Sequence, residues 1–265
     1  MEEQNEFTAV HLPEISITTS MYEYFGKVEP QKDRYIWRYV DVVKFLDLLN
    51  SQSLYFCRPD LFDDHFEGSI TRYSIDERHR LFEINSPFNF VNATYPPEFW
   101  SEYYRKQRLD YAVNCWHLNE NESAAMWKLY LQTQDGICIR STYGRLTEIL
   151  NESNHSFFVG DVKYIDYDKD RIGDHRLFAP FFFKRRSFMH ENELRAVIWN
   201  EEPSNGFDLS AGGCKVKVDL EKLVESVYVS PTSGKIFTSL VSDIISKFGY
   251  TFNLVNSKLN NTPLF

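Results

Sequence analysis

No two cysteines in this chain are spaced for a zinc ribbon or a dithiol motif. Cys57, Cys115, Cys138 and Cys214 stand far apart. C-x-x-C chemistry is therefore excluded, and the four thiols are expected to be reduced and mostly buried. The seven histidines do not cluster at ligand spacing, and His-Glu-x-x-His is absent. Neither glycine-rich phosphate loop occurs, nor the Gly-x-Ser-x-Gly elbow of the hydrolases, which removes the common nucleotide cradles and the common serine nucleophile. No apolar run approaches the ~18 residues of a membrane span. The first thirty residues lack the basic stretch and apolar core of a leader, so the expectation is a cytoplasmic protein with no membrane partner. Positive charge is also scarce: 29 Lys and Arg face 38 Asp and Glu, a net −9. A broad nucleic-acid surface is excluded on that ground, though a local basic pocket is not.

Aromatic residues, in contrast, are plentiful. With 22 Phe, 16 Tyr and 5 Trp, the chain can bury enough ring surface for a sizeable core. Residues 1–30 are polar, weakly patterned and read as an arm. Residues 31–265 read as one domain, without a repeat or a composition shift.

Within that domain, 34–40 and 54–57 have strand character, and between them Asp41 caps a helical pattern of Val42, Val43, Phe45, Leu46, Leu48 and Leu49. Helices are expected at 74–86, 98–109, 123–131, 145–150, 178–188 and 236–248, with Gly249 as the stop of the last. Strands are expected at 112–118, 136–140, 157–167, 193–199, 215–218, 226–229 and 252–255, with 200–213 as a hairpin connection joining 193–199 to 215–218. Strands and helices mix without a strict β-α-β beat. The fold class is therefore α+β: a mixed, largely antiparallel central sheet with helices packed around it.

Four groups of residues carry chemistry. Arg38, between Trp37 and Tyr39 on a strand, points away from both and presents a guanidinium suited to carboxylate or phosphate. Asp63, Asp64 and Glu67 lie in a short acidic loop that suits either an oxygen-liganded cation or the orientation of an arginine. Cys115 and His117 precede Glu122, Met126, Trp127 and Tyr130, which form either a core face or a ring-binding wall. His117 is the best general base by type, with no orienting partner evident in sequence. Finally Lys184 precedes Glu191, Glu193 and Arg195, which as strand residues would share one face and perturb one another's ionisation.

Taken as a set, these pieces resemble an uncharacterised bacterial family, the domain of unknown function numbered twenty-nine seventy-one. The resemblance rests on Trp37-Arg38-Tyr39, on Leu54 to Glu67, and on Cys115, Glu122, Met126, Trp127 and Tyr130. It continues through Val162 and Tyr164, Glu191, Glu193 and Arg195, and Val227, Val229 and Pro231. His65 stands where the family has proline, and Asp63 where it has asparagine.

A weaker resemblance, of layout only, is to the ADP-ribosyltransferases. It implies NAD as cofactor, Arg38 on the dinucleotide, and Glu193, with Glu191 beside it, at the sugar as nicotinamide leaves. Tyr55 or Trp127 would stack on nicotinamide, and Glu67, Glu122, Tyr130, Lys184 and Arg195 would complete the ligand-binding set. Two other readings stand beside it. One is a non-enzymatic sensor or interaction module of stress or phage defence, taking a small nucleotide or a protein partner, with Arg195 or Arg38 paired to Glu67. The other is a magnesium-dependent phosphoesterase or nuclease using Asp63, Asp64, Glu67 and Glu191 or Glu193.

Overall fold

A computed structural model describes residues 22–83, 96–130, 134–173, 176–200 and 209–264. Residues 1–21 of the expected arm, most of the irregular 86–97 stretch and the centre of the 200–213 loop lie outside them.

The elements follow in chain order as β1 (Tyr22–Phe25), β2 (Tyr35–Val40), α1 (Val42–Ser51), β3 (Ser53–Cys57), α2 (Arg72–Glu83) and α3 (Pro97–Asp110). Next come β4 (Tyr111–Leu118), α4 (Ala124–Tyr130), β5 (Ile137–Thr142), α5 (Tyr143–Asn151), β6 (Phe157–Asp161), β7 (Lys163–Ile165) and β8 (Phe183–Arg185). The chain continues through β9 (Glu193–Trp199), β10 (Gly213–Lys217), α6 (Leu220–Leu223), β11 (Ser226–Val229), α7 (Lys235–Lys247) and β12 (Asn253–Asn256). Among the described residues no helix is long and apolar enough to cross a membrane.

Local sequence explains most boundaries. The Asp41 carboxylate accepts the Lys44 N–H at 2.7 Å and starts α1. Gly249 adopts φ +83° and ends α7, the left-handed conformation that glycine takes without steric cost.

Ten strands form one mixed, largely antiparallel sheet with helices around it. Its main path is β1-β6-β9-β4-β2-β5-β11-β12. The edge pairs β1–β6 and β11–β12 are parallel; the inner pairs are antiparallel. The sheet forks at β4. There β2 pairs only with Leu118 and His117, while β3 meets the same edge at Val113 and carries β10 with it.

Alternation along each strand separates two faces. On the first, Ile36, Val40, Trp116, Leu194 and Ile139 join a core closed by Phe45 and Leu48 of α1, Leu146 and Leu150 of α5, Leu223 of α6 and Val241 of α7. On the second are two aromatic clusters. One, around Phe25, Tyr111, Val197 and the Phe178–Phe183 segment, covers β9 and the start of β4. The other, formed by Trp37, Tyr39, Met126, Trp127 and Cys138, lies under α4.

Four expectations differ from what the chain does. Strand 215–218 is not the hairpin partner of 193–199, because β4 and β6 already occupy both edges of β9; β10 pairs with β3 instead. Segment 178–188 is not an α-helix. Ala179–Phe182 makes a 3-10 turn containing Pro180, then β8, then a second 3-10 stretch at Arg186–Glu191. Phe178, Phe181, Phe182 and Phe183 are all buried, a distribution that a one-sided amphipathic helix cannot give. The 157–167 strand is two short strands in different sheets, and Tyr167 leaves the second where Asp166 and Asp170 close a turn. Lastly, part of the expected arm, Tyr22–Phe25, is the edge strand of the main sheet.

Candidate functional site

Between the two aromatic clusters, the second face holds a group of charged side chains. Register places His117 opposite Glu193, and Cys115 opposite Arg195, so all four point to this side. The turn after residues 59–61 delivers Glu67 from one direction. Strand β8 delivers Lys184 from another, and the 3-10 stretch before β9 brings Glu191.

Arg195 is 1% exposed, and all five of its N–H groups are engaged. Its Nη1 and Nη2 meet Glu67 Oε2 and Oε1 at 2.7 and 2.9 Å, its Nε and Nη2 meet Glu193 Oε2 and Oε1 at 2.8 and 3.1 Å, and Nη1 also donates to Phe181 O at 2.8 Å. Lys184 Nζ lies 2.8 Å from Glu193 Oε1 and 3.2 Å from Glu67 Oε1, and donates to Glu191 Oε2 as well. Three carboxylates thus face two cations in a nearly dry interior, where each charge needs its partners to offset lost hydration.

The ionisation of the group follows. Burial alone would raise the Glu193 carboxyl, but the Arg195 and Lys184 charges outweigh it and hold it well below the usual range. Glu191 moves the other way. Burial, then its hydrogen bond with Glu193 and the charge of that neighbour, push it up to about 7 against the pull of Lys184.

The orienting partner that sequence did not provide for His117 is a main-chain atom. Its Nδ1 lies 2.6 Å from the Glu191 carbonyl oxygen, so that nitrogen carries the proton and donates. Burial lowers the imidazole pKa, partly countered by that hydrogen bond and by Glu193. The opposite nitrogen, Nε2, is buried without a hydrogen-bond partner among the described residues.

The other expected residues divide into neighbours and outliers. Tyr130 is 45% exposed and feels the Glu191 and Glu193 charges, so it stands at the rim of the group. Trp127 is buried; its ring meets Tyr39 edge-on at 5.0 Å and its Nε1 donates to Glu122 Oε2 at 2.9 Å. Glu122 also accepts the Lys258 N–H at 3.2 Å. These two belong to the packing under α4, away from Arg195. Tyr55 is exposed on β3. Arg38 does not join the carboxylates: its Nη2 reaches Tyr55 O at 3.4 Å, its guanidinium lies 5.8 Å from the Trp116 ring centroid, and it makes no ion pair among the described residues.

The acidic loop turns inward onto arginines. Asp64 is buried and takes Arg185 through both oxygens, at 2.8 and 3.2 Å, while Glu67 takes Arg195. Asp63 is exposed. Among the described residues, no group of three His, Cys, Asp or Glu is placed to hold a metal ion.

Glu191 was expected inside the strand; it lies before it, because Asn192 takes a left-handed conformation and β9 begins at Glu193. Two participants escaped the side-chain reading. Tyr164 accepts the Glu193 N–H on its hydroxyl at 2.9 Å, and its only sequence signal was the Val-x-Tyr of the family resemblance. Phe181 contributes a carbonyl, for which side-chain identity gives no signal.

No family model matches the chain, and no curated protein matches it.

Proposed function

We propose that this protein is a non-enzymatic sensor or interaction module, in which the Glu67–Arg195–Glu193–Lys184 group is an internal ionic latch. One observation carries the reading: every N–H of Arg195 is spent inside the protein, and Lys184 is in contact with three of its own carboxylates. A site that recognises phosphate or carboxylate leaves cationic donors facing the ligand. These donors face inward, and Glu193 spends both carboxylate oxygens on Arg195. Membership of family twenty-nine seventy-one is part of the proposal. It is supported by where the motif residues fall, since Glu67, Glu191, Glu193, Arg195 and Tyr164 come from distant segments and assemble at one place.

A second reading, an NAD-using transferase, is favoured by two specific features. Arg38 meets no carboxylate among the described residues and leaves Nη1 unsatisfied there, and Glu191, the less buried of the paired carboxylates, is pushed up to about 7. One experiment decides between the two. Purified protein is incubated with NAD, nicotinamide release is followed, and binding is measured by calorimetry, alongside Glu193→Gln. The module reading expects no saturable NAD binding and no nicotinamide. Release that disappears in a folded Glu193→Gln protein would overturn it in favour of the transferase.

A further inference from the structure

The charges of the ionic latch do not balance. Glu67, Glu191 and Glu193 bring three negative groups, while Arg195 and Lys184 bring two positive ones. The other ionisable groups packed against Glu191 do not correct this. Cys115 and His117 of β4, Tyr130 of α4 and Tyr164 of β7 are neutral at pH 7: burial raises the thiol and the phenols and lowers the imidazole. On Glu191's own segment, His190 is exposed and Arg186 is turned to Asp170 at 2.7 Å. With Glu191 ionised, the group therefore holds one uncompensated negative charge. With Glu191 protonated it is neutral, and the hydrogen bond between Glu191 and Glu193 no longer joins two anions.

Glu191 is also the member that can leave. Its side chain is 14% exposed, against 1% for Glu67 and 6% for Glu193. It ends the 3-10 stretch Arg186–Glu191, which has no buried residue. Both flanks of that stretch are anchored. Arg185 is held by Asp64 at 2.8 Å and Arg186 by Asp170. Asn192, with its left-handed φ of 38°, exchanges two hydrogen bonds with Leu118 of β4, at 2.8 and 2.5 Å. Between these anchors the Phe188 ring lies 4.7 Å from Lys184 Nζ. Glu191 is fastened twice: its carboxylate accepts from Lys184, and its carbonyl accepts the His117 Nδ1–H at 2.6 Å. One residue thus joins an exposed segment to the buried charges by side chain and by main chain.

We propose that residues 187–191 form a flap that responds to protons, closed over the latch while Glu191 is protonated and released when Glu191 ionises. The inference rests on the latch reading and supplies the signal of the sensor. The charge count sets the direction, and the Glu191 carboxyl, pushed up to about 7, puts the change near neutral pH. Release uncovers Lys184 and Glu193 and frees the Nδ1–H of His117. His117 acts in the opposite sense, because acid places a proton on Nε2, which has no partner among the described residues.

The test follows chymotrypsin cleavage after Phe188 and Met189 in the full chain at pH 6, 7 and 8, mapped by mass spectrometry. Rates are normalised at each pH to an unstructured peptide substrate of the same protease. Cleavage within a folded protein tracks the population of the locally open form. In wild type it should rise several-fold from pH 6 to pH 8, while cuts elsewhere in the chain do not follow. In Glu191→Gln, which cannot ionise, the rise should be absent and cleavage should stay near the wild-type level at pH 6. Should that variant fail to fold, the wild-type contrast between 187–191 and the other cuts decides alone. A flat wild-type profile, a rise shared by all cuts, or an equal rise in Glu191→Gln overturns the proposal. Failure of the latch reading shows itself elsewhere, as nicotinamide release in the NAD experiment.

Discussion

Arg195 and Glu67 meet as a two-pronged pair at 2.7 and 2.9 Å, each 1% exposed, although 128 positions separate them along the chain. The pair ties the acidic turn to β9, and through Glu193 and Lys184 it ties β8 as well. Its consequence is asymmetric. Charges buried together compensate each other, whereas one left alone keeps its desolvation cost.

Glu67→Gln should therefore destabilise the protein by about 3–5 kcal/mol, the usual penalty for orphaning a buried charge. Arg195→Met should cost a similar amount. The double variant should cost clearly less than the sum of the two, because neither partner then remains unpaired. Urea denaturation of the four proteins checks this. Simple additivity would mean that the pair is not coupled.

Glu191 gives a pH prediction. Its folded-state pKa, raised from 4.5 to about 7, lies above its unfolded value. Its contribution to stability is thus full below about pH 4.5 and is lost as pH rises through about 7. Lys184, Glu193, Glu67, Arg195, His117, Tyr130 and Tyr164 surround it. Of these, His117 opposes it: its lowered pKa gives stability present above 6.5 and lost as pH falls. Glu191→Gln removes the first slope and leaves the second. The variant should gain stability relative to wild type as pH rises from about 4.5 through about 7, measured as the shift of the urea midpoint. A constant difference across that range would contradict the assignment of the raised pKa to Glu191.

Gly68 follows Glu67 with φ +70°, and a Cβ there would sit 2.5 Å from the Phe181 ring. Phe181 also supplies the carbonyl that accepts from Arg195. Gly68→Ala should thus cost about 1–3 kcal/mol through overpacking, with the left-handed backbone adding to it. It should also speed amide exchange at Glu67, whose N–H donates to Asp64 O at 3.0 Å. A neutral Gly68→Ala variant would show that the turn has room to move.

Much of the candidate site was legible in sequence as residue type. Glu67, Glu191, Glu193, Lys184 and Arg195 stood out because charged residues flanking apolar strands must find partners when the strands are buried. The partition between them was not legible. Arg38 and Arg195 are chemically alike, yet Arg195 is saturated by carboxylates and Arg38 meets none among the described residues. That difference arises at the fork of β4, which no local pattern encodes.

The α+β class, the Asp41 cap, the Gly249 stop and the strand character of 193–199 are local properties of the chain, because each depends on propensity and spacing within a dozen residues. That β10 pairs with β3, that the Glu191 carbonyl orients His117, and that Glu67 turns inward to Arg195 are outcomes of long-range packing. These depend on which strand edges are already filled and on which main-chain atoms come close. They are long-range choices made by burial and by electrostatic compensation once the sheet has closed.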